Sequence, residues 1–483
     1  MQPKVIQRIL GLLLMVFSFS MLPPAAVGLY YNDGEVFPFI DGFMLVFAAG
    51  LLIWWPSRRH RNELKLRDGF VVVVMFWLVL GLSGAVPLYL ADNPELSLTD
   101  AVFESISGLT TTGATTIVGL DSLPRSILLY RQELQWLGGM GIVVLAVALL
   151  PLLGVGGMQL YKAEMSGPIK DNRFTARISE TAKALWYIYL GLTVSCALLY
   201  HAFGMPWFDA IGHAFSTVAI GGFSTHDAGF GHYDTPMLEV IATVFMAASG
   251  VSFALHFLAL RSRSLGAYLK SSEFKLYASI LIGLILVYTL YLWLGDTYRD
   301  LHTALRYASF NVVSYATTTG FATADITLWP TFLPVVLILA SFVGACAGST
   351  GGGLKVVRFL LLIRQGFREL TRLLHPNATM VVKIGGKIMP DEVISAVWGF
   401  FSAYVGIFVI LMILMLASGL DHVSAFGAVA ATLNNLGPGL GVVASNFTQV
   451  SDFGKWVACA GMLFGRLEIF TLLVLFTPAF WRR

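Results

Sequence analysis

The chain has 483 residues, 57% of them hydrophobic and 12% charged, with a mean hydropathy of +0.75. Soluble domains carry roughly 25% charged residues, so this composition excludes a soluble globular protein. The net charge of +3 is too small to mark a nucleic-acid binder.

In chain order, apolar runs of span length, about 20 residues, are Ile9–Leu29, Phe37–Trp55, Phe70–Leu90, Leu185–Phe203, Leu276–Leu294 and Val397–Ala417. Lys4 and Arg8 precede the first run as they would in a signal peptide. That run is nevertheless span-length, and a second follows before any basic loop, so it reads as an uncleaved span. Lys and Arg then cluster between hydrophobic hairpins: Arg58, Arg59, Arg61, Lys65 and Arg67; Lys162, Lys170, Arg173, Arg177 and Lys183; Arg261, Arg263, Lys270 and Lys275; Lys355, Arg358, Arg364, Arg368, Arg372, Lys383 and Lys387; Arg482 and Arg483. The loops between these clusters are acidic, with Asp33, Asp92, Asp121, Asp209, Asp234, Asp300 and Asp325 among their residues. The positive-inside rule places the basic clusters and both termini in the cytoplasm, which requires an even number of spans. Cys196, Cys346 and Cys459 sit in apolar segments without metal-ligand spacing and read as buried thiols. His213 and His256 read as satisfied core groups.

A longer period underlies the spans. Four segments end on a glycine with alanine twelve positions earlier: Ala101–Gly113, Ala210–Gly222, Ala308–Gly320 and Ala425–Gly437. Ser107, Ser216 and Ser314 lie six positions before the glycine, with Ala431 in the fourth. Each segment is too short to span. It reads as a helix that enters the bilayer, stops, and returns as extended backbone, which is tolerated only in a protein-lined or wet setting. A single Thr-Thr-Thr-Gly is equally a helix end with a C-cap glycine; four in register argue for loops around one axis. Rings of backbone carbonyls replace the hydration shell of a monovalent cation without a fixed counter-charge. Asp92, Asp100, Glu104, Asp209, Asp227 and Asp325 are placed to concentrate cations at the mouth, or are ordinary solvated loop charges.

The strings Ser-Gly-Leu-Thr-Thr-Thr-Gly-Ala-Thr-Thr (107–116), Ile-Gly-Gly-Phe-Ser-Thr-His-Asp (220–227), Gly-Ser-Thr-Gly-Gly-Gly-Leu-Lys (348–355), Leu-Asn-Asn-Leu-Gly-Pro-Gly-Leu-Gly (433–441) and Phe-Gly-Arg-Leu-Glu (464–468) resemble the Trk/Ktr/HKT superfamily of potassium transporters, closest to its bacterial TrkH subunits, over essentially the full length. The resemblance implies filter glycines Gly113, Gly222, Gly320 and Gly437. Ion-facing carbonyls would come from Thr111 and Thr112, Ile220 and Gly221, Thr318 and Thr319, and Asn435 and Leu436. Glycine rather than serine at 113 favours potassium over sodium in that family.

Two further elements follow. Glycines 344, 348, 351, 352 and 353 interrupt an apolar span, where each costs up to about 1 kcal/mol against alanine. No Gly-Lys-Ser/Thr ending follows, as a phosphate loop would need. In the family this stretch, with Ser349 and Thr350, is a gating loop beneath the filter. Arg466 lies inside the last span beside Glu468; a buried Arg needs a partner or water. It reads as paired with Glu468 or another repeat, or, by the resemblance, as a positive barrier in the pore. Lys455 reads as snorkelling at the membrane edge.

The expected architecture is all-α and integral to the membrane. It has ten spans: two N-terminal helices (residues 1–67), then four membrane–pore-loop–membrane repeats at 68–178, 179–272, 273–390 and 391–483 around a single pore. A proton- or sodium-coupled secondary transporter of a cation is the alternative, although every basic loop joins one repeat to the next in the same orientation. An intramembrane hydrolase with Ser349 as nucleophile lacks a histidine in the same span. The chain carries no dinucleotide fingerprint and needs no cofactor beyond K+ as the transported ion. The resemblance implies a homodimer in the bacterial inner membrane, regulated by a cytoplasmic nucleotide-binding subunit of the TrkA type.

Overall fold

The computed structural model describes residues 1–60, 66–148, 174–378 and 380–482. Arg61, Lys65, Lys162, Lys170, Arg173 and Arg483 of the expected basic clusters lie outside the described residues, as does the stretch before the repeat boundary at 178. That boundary falls inside a helix that begins at Phe174.

The architecture is all-α. The N-terminal pair is α1 (Pro3–Ser18), continued by α2 (Leu22–Tyr31), and α3 (Val36–Trp54). A Cβ at Gly11 would meet the Trp54 amide at 2.6 Å and the Gly50 carbonyl at 2.7 Å, so these backbones touch. Small residues at such a crossing are what lets membrane helices pack closely without a hydrophobic drive between them. The sole strands among the described residues, β1 (Lys383–Ile384) and β2 (Lys387–Ile388), form a hairpin between the third and fourth units.

Four units of similar plan follow. Unit 1 is α4 (Leu66–Leu90), α5 (Leu98–Leu109) and α6 (Arg125–Ala148). Unit 2 is α7 (Phe174–Ala202), α8 (Trp207–Ala219), and α9 (Pro236–Ser249) bent by 94° into α10 (Phe253–Ser262). After the short α11 (Gly266–Lys270), unit 3 is α12 (Ser272–Leu294), α13 (Leu301–Thr317) and α14 (Phe332–Val343), followed by α15 (Val356–Leu374). Unit 4 is α16 (Asp391–Ala417), α17 (His422–Leu433), and α18 (Asp452–Arg466), which turns by 111° into a segment beginning with α19 (Ile469–Leu473).

Six helices among the described residues are long and apolar enough to cross a membrane, and eight if each bent pair is one span. The expected ten differ for physical reasons. The α6 helix carries Arg131, Gln132, Glu133 and Gln135 in its first half, which lowers its hydropathy. The α14 helix has 12 residues and stops where the glycines begin.

The middle helix of each unit has 12, 13, 17 and 12 residues in turn, or roughly 18–26 Å at 1.5 Å per residue. None crosses a hydrocarbon core of about 30 Å. Side-chain caps from Ser97, Asp300 and Asp421 start α5, α13 and α17, and Pro206 precedes α8. Their C-terminal halves are buried, apart from the half-buried Phe215 of α8. The units share cores in cyclic order. Phe103 of unit 1 packs on Phe447 of unit 4 with ring centroids 5.3 Å apart; Tyr189 and Phe310 join units 2 and 3 in one cluster; Leu337 and Leu436 join units 3 and 4 in another. Interhelical hydrogen bonds add to this packing, from Ser105 Oγ to the Gly81 carbonyl (2.6 Å) and from the Tyr130 hydroxyl to the Gly84 carbonyl (3.0 Å). Such bonds average about 0.6 kcal/mol each in a membrane protein.

Candidate functional site: four turns around one axis

The four short helices end in the same way. Thr111, Ile220, Thr318 and Asn435 are left-handed, with φ of 52°, 55°, 70° and 53°. In each case the next residue's N–H reaches back five positions, from Thr112 to the Ser107 carbonyl, Gly221 to Ser216, Thr319 to Ser314 and Leu436 to Ala431, at 2.7–2.8 Å. The left-handed residue itself bonds three positions back, to the carbonyls of Gly108, Thr217, Tyr315 and Thr432. This is a Schellman ending. Glycine usually takes its left-handed position, but here threonine, isoleucine or asparagine does. The glycine follows two residues later, again left-handed, with φ of 81°, 81°, 83° and 95° at Gly113, Gly222, Gly320 and Gly437. A β-branched residue at positive φ is an outlier costing roughly 1–2 kcal/mol, and three of the four turns carry one.

The glycines are also required by contact. A Cβ on Gly113 would overlap the Gly221 carbonyl oxygen, one on Gly222 that of Thr319, one on Gly320 that of Leu436, and one on Gly437 that of Thr112. Each glycine therefore packs against the carbonyl that precedes the glycine of the next unit, and the sequence of contacts runs 1 to 2 to 3 to 4 and back to 1. Among the described residues, no hydrogen bond reaches the carbonyl oxygens of Thr111, Thr112, Ile220, Thr318, Thr319, Asn435 or Leu436. Buried carbonyls without a donor are uncommon. The eighth predicted carbonyl, that of Gly221, accepts from Gln135 Nε2 at 2.6 Å.

Braces hold the turns from outside. Gln135 on α6 also accepts from the Phe223 N–H (3.1 Å), and Gln132 donates to the Phe223 carbonyl (3.3 Å). Asn435 donates to the Thr112 hydroxyl at 3.0 Å, joining the fourth turn to the first. Glu104 is fully buried rather than at the mouth. It faces Arg131 at 3.6 Å and accepts from the Thr116 and Ile117 N–H groups and the Thr115 hydroxyl. Arg131 in turn donates to Thr115 (3.0 Å). The sequence reading passed over Arg131, Gln132 and Gln135. The available clue was a run of polar residues inside a span, which marks a functional setting. Lys455 is buried and pairs with Asp100 at 2.7 Å instead of snorkelling.

On the side of the turns where the short helices end lies the glycine-rich stretch. Gly344, Gly348 and Gly353 have φ of 68°, 72° and 74°, conformations that fold the chain into a loop under the helix ends. Thr350 Oγ1 donates to the Val218 carbonyl of unit 2 (3.1 Å), and the Gly352 N–H donates to Thr318 Oγ1 of unit 3 (2.7 Å). A side chain on Gly351 would meet the Thr317 carbonyl at 2.8 Å, and one on Gly352 would overlap the Asn434 carbonyl of unit 4. Arg466 completes the set: it donates to the Thr350 carbonyl (3.1 Å) and to the Thr111 hydroxyl of unit 1. It forms no ion pair among the described residues; Glu468 pairs with Arg358 at 2.7 Å instead. Lys355, expected in a solvated loop, donates its ammonium to the Gly351 carbonyl, and with Arg358, Arg466 and Glu468 it lines a cavity beneath the loop. Ser349 is buried, and its hydroxyl donates to the Cys346 carbonyl (2.7 Å). His213 and His256 are satisfied core groups, bonded to Ser224 and Asp209 and to Tyr268 and Ala248 respectively.

The chain is similar to known transport proteins. The profile of the TrkH family, described as a cation transport protein, matches residues 36–483. The Trk system potassium uptake protein TrkH of Salmonella typhimurium is 57% identical over 479 residues, covering 99% of each chain. That of Escherichia coli K12 is 56% identical over the same coverage. The crystal structure of the potassium transporter TrkH from Vibrio parahaemolyticus superposes with a TM-score of 0.94 at 55% identity, covering 100% of both chains. These are transporters and not enzymes, and an all-helical membrane protein is common to them and to this chain. The chain belongs to the TrkH family of cation transport proteins.

Proposed function

We propose that the chain carries potassium ions across the bacterial inner membrane through the ring of four turns, taking the ion up into the cytoplasm. The observation that carries this reading is the cyclic packing of each turn's glycine on the next turn's carbonyl, together with seven adjacent carbonyls that receive no hydrogen bond from the described residues. Carbonyl oxygens so disposed replace a cation's hydration shell. The proposed filter comprises Thr111, Thr112 and Gly113; Ile220, Gly221 and Gly222; Thr318, Thr319 and Gly320; and Asn435, Leu436 and Gly437. The C-terminal ends of four short helices add partial negative charge on the same side.

The proposed gate is the loop with Gly344, Gly348, Ser349, Thr350, Gly351, Gly352 and Gly353. It is supported by its hydrogen bonds and close contacts to the ends of α8, α13 and α17. Arg466, bonded to this loop and to the first turn, is the proposed electrostatic barrier, released when the loop moves. The repeat boundaries at 68, 179, 273 and 391, both termini in the cytoplasm, a homodimer, and control by a nucleotide-binding subunit of the TrkA type complete the proposal.

The test is cation flux into liposomes holding the purified chain under an imposed potential, worth about 2.3 kcal/mol per charge per 100 mV. Potassium and rubidium flux that follows the potential and exceeds sodium flux is the expected result. Flux that follows a proton or sodium gradient instead overturns the pore in favour of a coupled transporter.

A further inference from the structure

Beyond the four turns, on the side away from the gating loop, the segments that leave the first and second turns are tied to each other by a cluster outside the ion path described above. Asp121 sits in a short turn over Leu120–Ser122, and His232 in another over Gly229–Tyr233, with His226 between the second turn and the latter. One ligand atom from each of Asp121, His226 and His232 lies within 4.8 Å of the others. His226 Nδ1 is 2.5 Å from Asp121 Oδ1, and Asp209 Oδ2 is 3.9 Å from His226 Nε2. The two imidazoles are stacked, with centroids 3.6 Å apart and planes 2° from parallel.

The backbone under these side chains is fixed. The Gly119 N–H donates to Asp227 Oδ1 (2.9 Å) and the Asp227 N–H to Asp121 Oδ2 (3.4 Å). The His226 N–H donates to Ser224 Oγ (3.1 Å), which is itself bonded to the buried His213 at 2.9 Å. Thr225 donates to the other oxygen of Asp209 at 2.7 Å. Two imidazoles and a carboxylate on a braced frame are a nitrogen-rich donor set, whereas calcium and magnesium call for oxygens. Imidazole and carboxylate together suit zinc and its neighbours among the divalent transition metals.

We propose that Asp121, His226 and His232 form a binding site for a divalent transition metal of the zinc type, with Asp209 beside it, and that the bound metal clamps the segments following the first and second turns at the mouth of the ion path. Side-chain rotation out of the stack brings the donors to the separation of about 3.3 Å that tetrahedral metal–ligand bonds of 2.0–2.1 Å require. The metal takes the Nδ1 position that faces Asp121, and the neutral His226 ring carries its proton on Nε2, beside Asp209 Oδ2. A divalent charge held there opposes entry of a monovalent cation and immobilises two of the four segments that lead into the ring.

Binding of the metal stands apart from the conduction reading; its effect on flux rests on that reading. The experiment is a calorimetric titration of the purified full chain in detergent with zinc alone, then with magnesium alone. His226→Ala, His232→Ala and Asp121→Asn are compared with His422→Ala, an exposed histidine at the start of α17 outside the cluster. Size-exclusion profiles report folding. The expected result is one zinc per chain, lost in the three cluster variants, kept in His422→Ala, and no magnesium heat. Zinc binding that survives His226→Ala and His232→Ala, or no zinc binding at all, overturns the site. In liposomes, zinc on the mouth side is expected to slow rubidium flux in the unsubstituted chain and not in His232→Ala. Unchanged flux with zinc bound overturns the clamp. Absence of flux without zinc overturns the conduction reading and leaves the titration to decide the site.

Discussion

The four turns share one backbone, whereas the helices that follow them share none of their breaks. At the turns, the hydrogen bonds that reach back five positions agree to 0.1 Å and the glycine φ values lie between 81° and 95°. Below them, α6 of unit 1 continues as one helix to Ala148, unit 2 bends by 94° after Ser249, unit 3 opens into a glycine-rich loop, and unit 4 turns by 111° after Arg466. Under the proposed function, the difference follows from what each level would do. A dehydrated ion gains most from equivalent ligands on every side, so the turns gain from repetition. A barrier needs one charge and a gate one movable loop; four copies of Arg466 at that depth would repel one another as well as the ion. Repetition fits selectivity and its loss fits control.

The comparison breaks most visibly at the ring. Gly113→Ser places a Cβ in the Gly221 carbonyl at a φ of 81°, where the left-handed penalty alone is roughly 1–2 kcal/mol. Potassium-over-sodium selectivity in liposome flux is expected to fall by about tenfold, the equivalent of 1.4 kcal/mol; an unchanged ratio removes Gly113 from the filter. Next in size is Arg466→Ala. A unit charge about 8 Å from an ion opposes it by roughly 1 kcal/mol at an effective dielectric of about 40, between protein and water. Rubidium flux is therefore expected to rise by about sixfold, with the selectivity ratio kept. Loss of monodisperse protein on size exclusion would make Arg466 a structural strut between Thr350 and Thr111.

Gln135→Leu tests whether the symmetric ring depends on an asymmetric brace, since it strips partners from both the Gly221 carbonyl and the Phe223 N–H. An unsatisfied buried group costs roughly 1–3 kcal/mol. The expected outcome is a lower thermal midpoint and a selectivity loss of a few-fold, smaller than that of Gly113→Ser. The smallest effect belongs to Ser349→Ala. It removes one neutral hydrogen bond to Cys346, worth about 1 kcal/mol, and flux is expected to stay within twofold. A large change would place Ser349 in the gating contact itself.

The turns were legible in the sequence because they repeat. Alanine twelve positions before each glycine, with serine six positions before three of the four, marks a backbone the chain uses four times, and the apolar spans around them set the all-helical class. The braces were not legible because they occur once. Gln135 reaches Gly221 across 86 positions and Asn435 reaches Thr112 across 323, distances at which no local pattern operates. Charge position was misread for the same reason. Glu104 looked like a mouth carboxylate and Lys455 a snorkelling lysine; Arg131 and Asp100 come from other helices to bury them. Arg466 was read as paired with Glu468 or with another repeat; Arg358 takes Glu468, and Arg466 bonds Thr350 of unit 3 and Thr111 of unit 1. The left-handed residue that ends each short helix was likewise hidden, since threonine, isoleucine and asparagine there run against residue preference.

The contact between the fourth turn and the first also fixes an order of assembly. Thr112 and Asn435 are 323 residues apart, a delay of roughly 15–65 s at a synthesis rate of 5–20 residues per second. Throughout that interval the first turn is already made while its neighbour on one flank is still untranslated. Only the last unit supplies the Gly437 contact and the Asn435 hydrogen bond to Thr112 that close the ring. A chain cut short after Gly320 would leave a membrane protein with a wall missing, not a narrower pore.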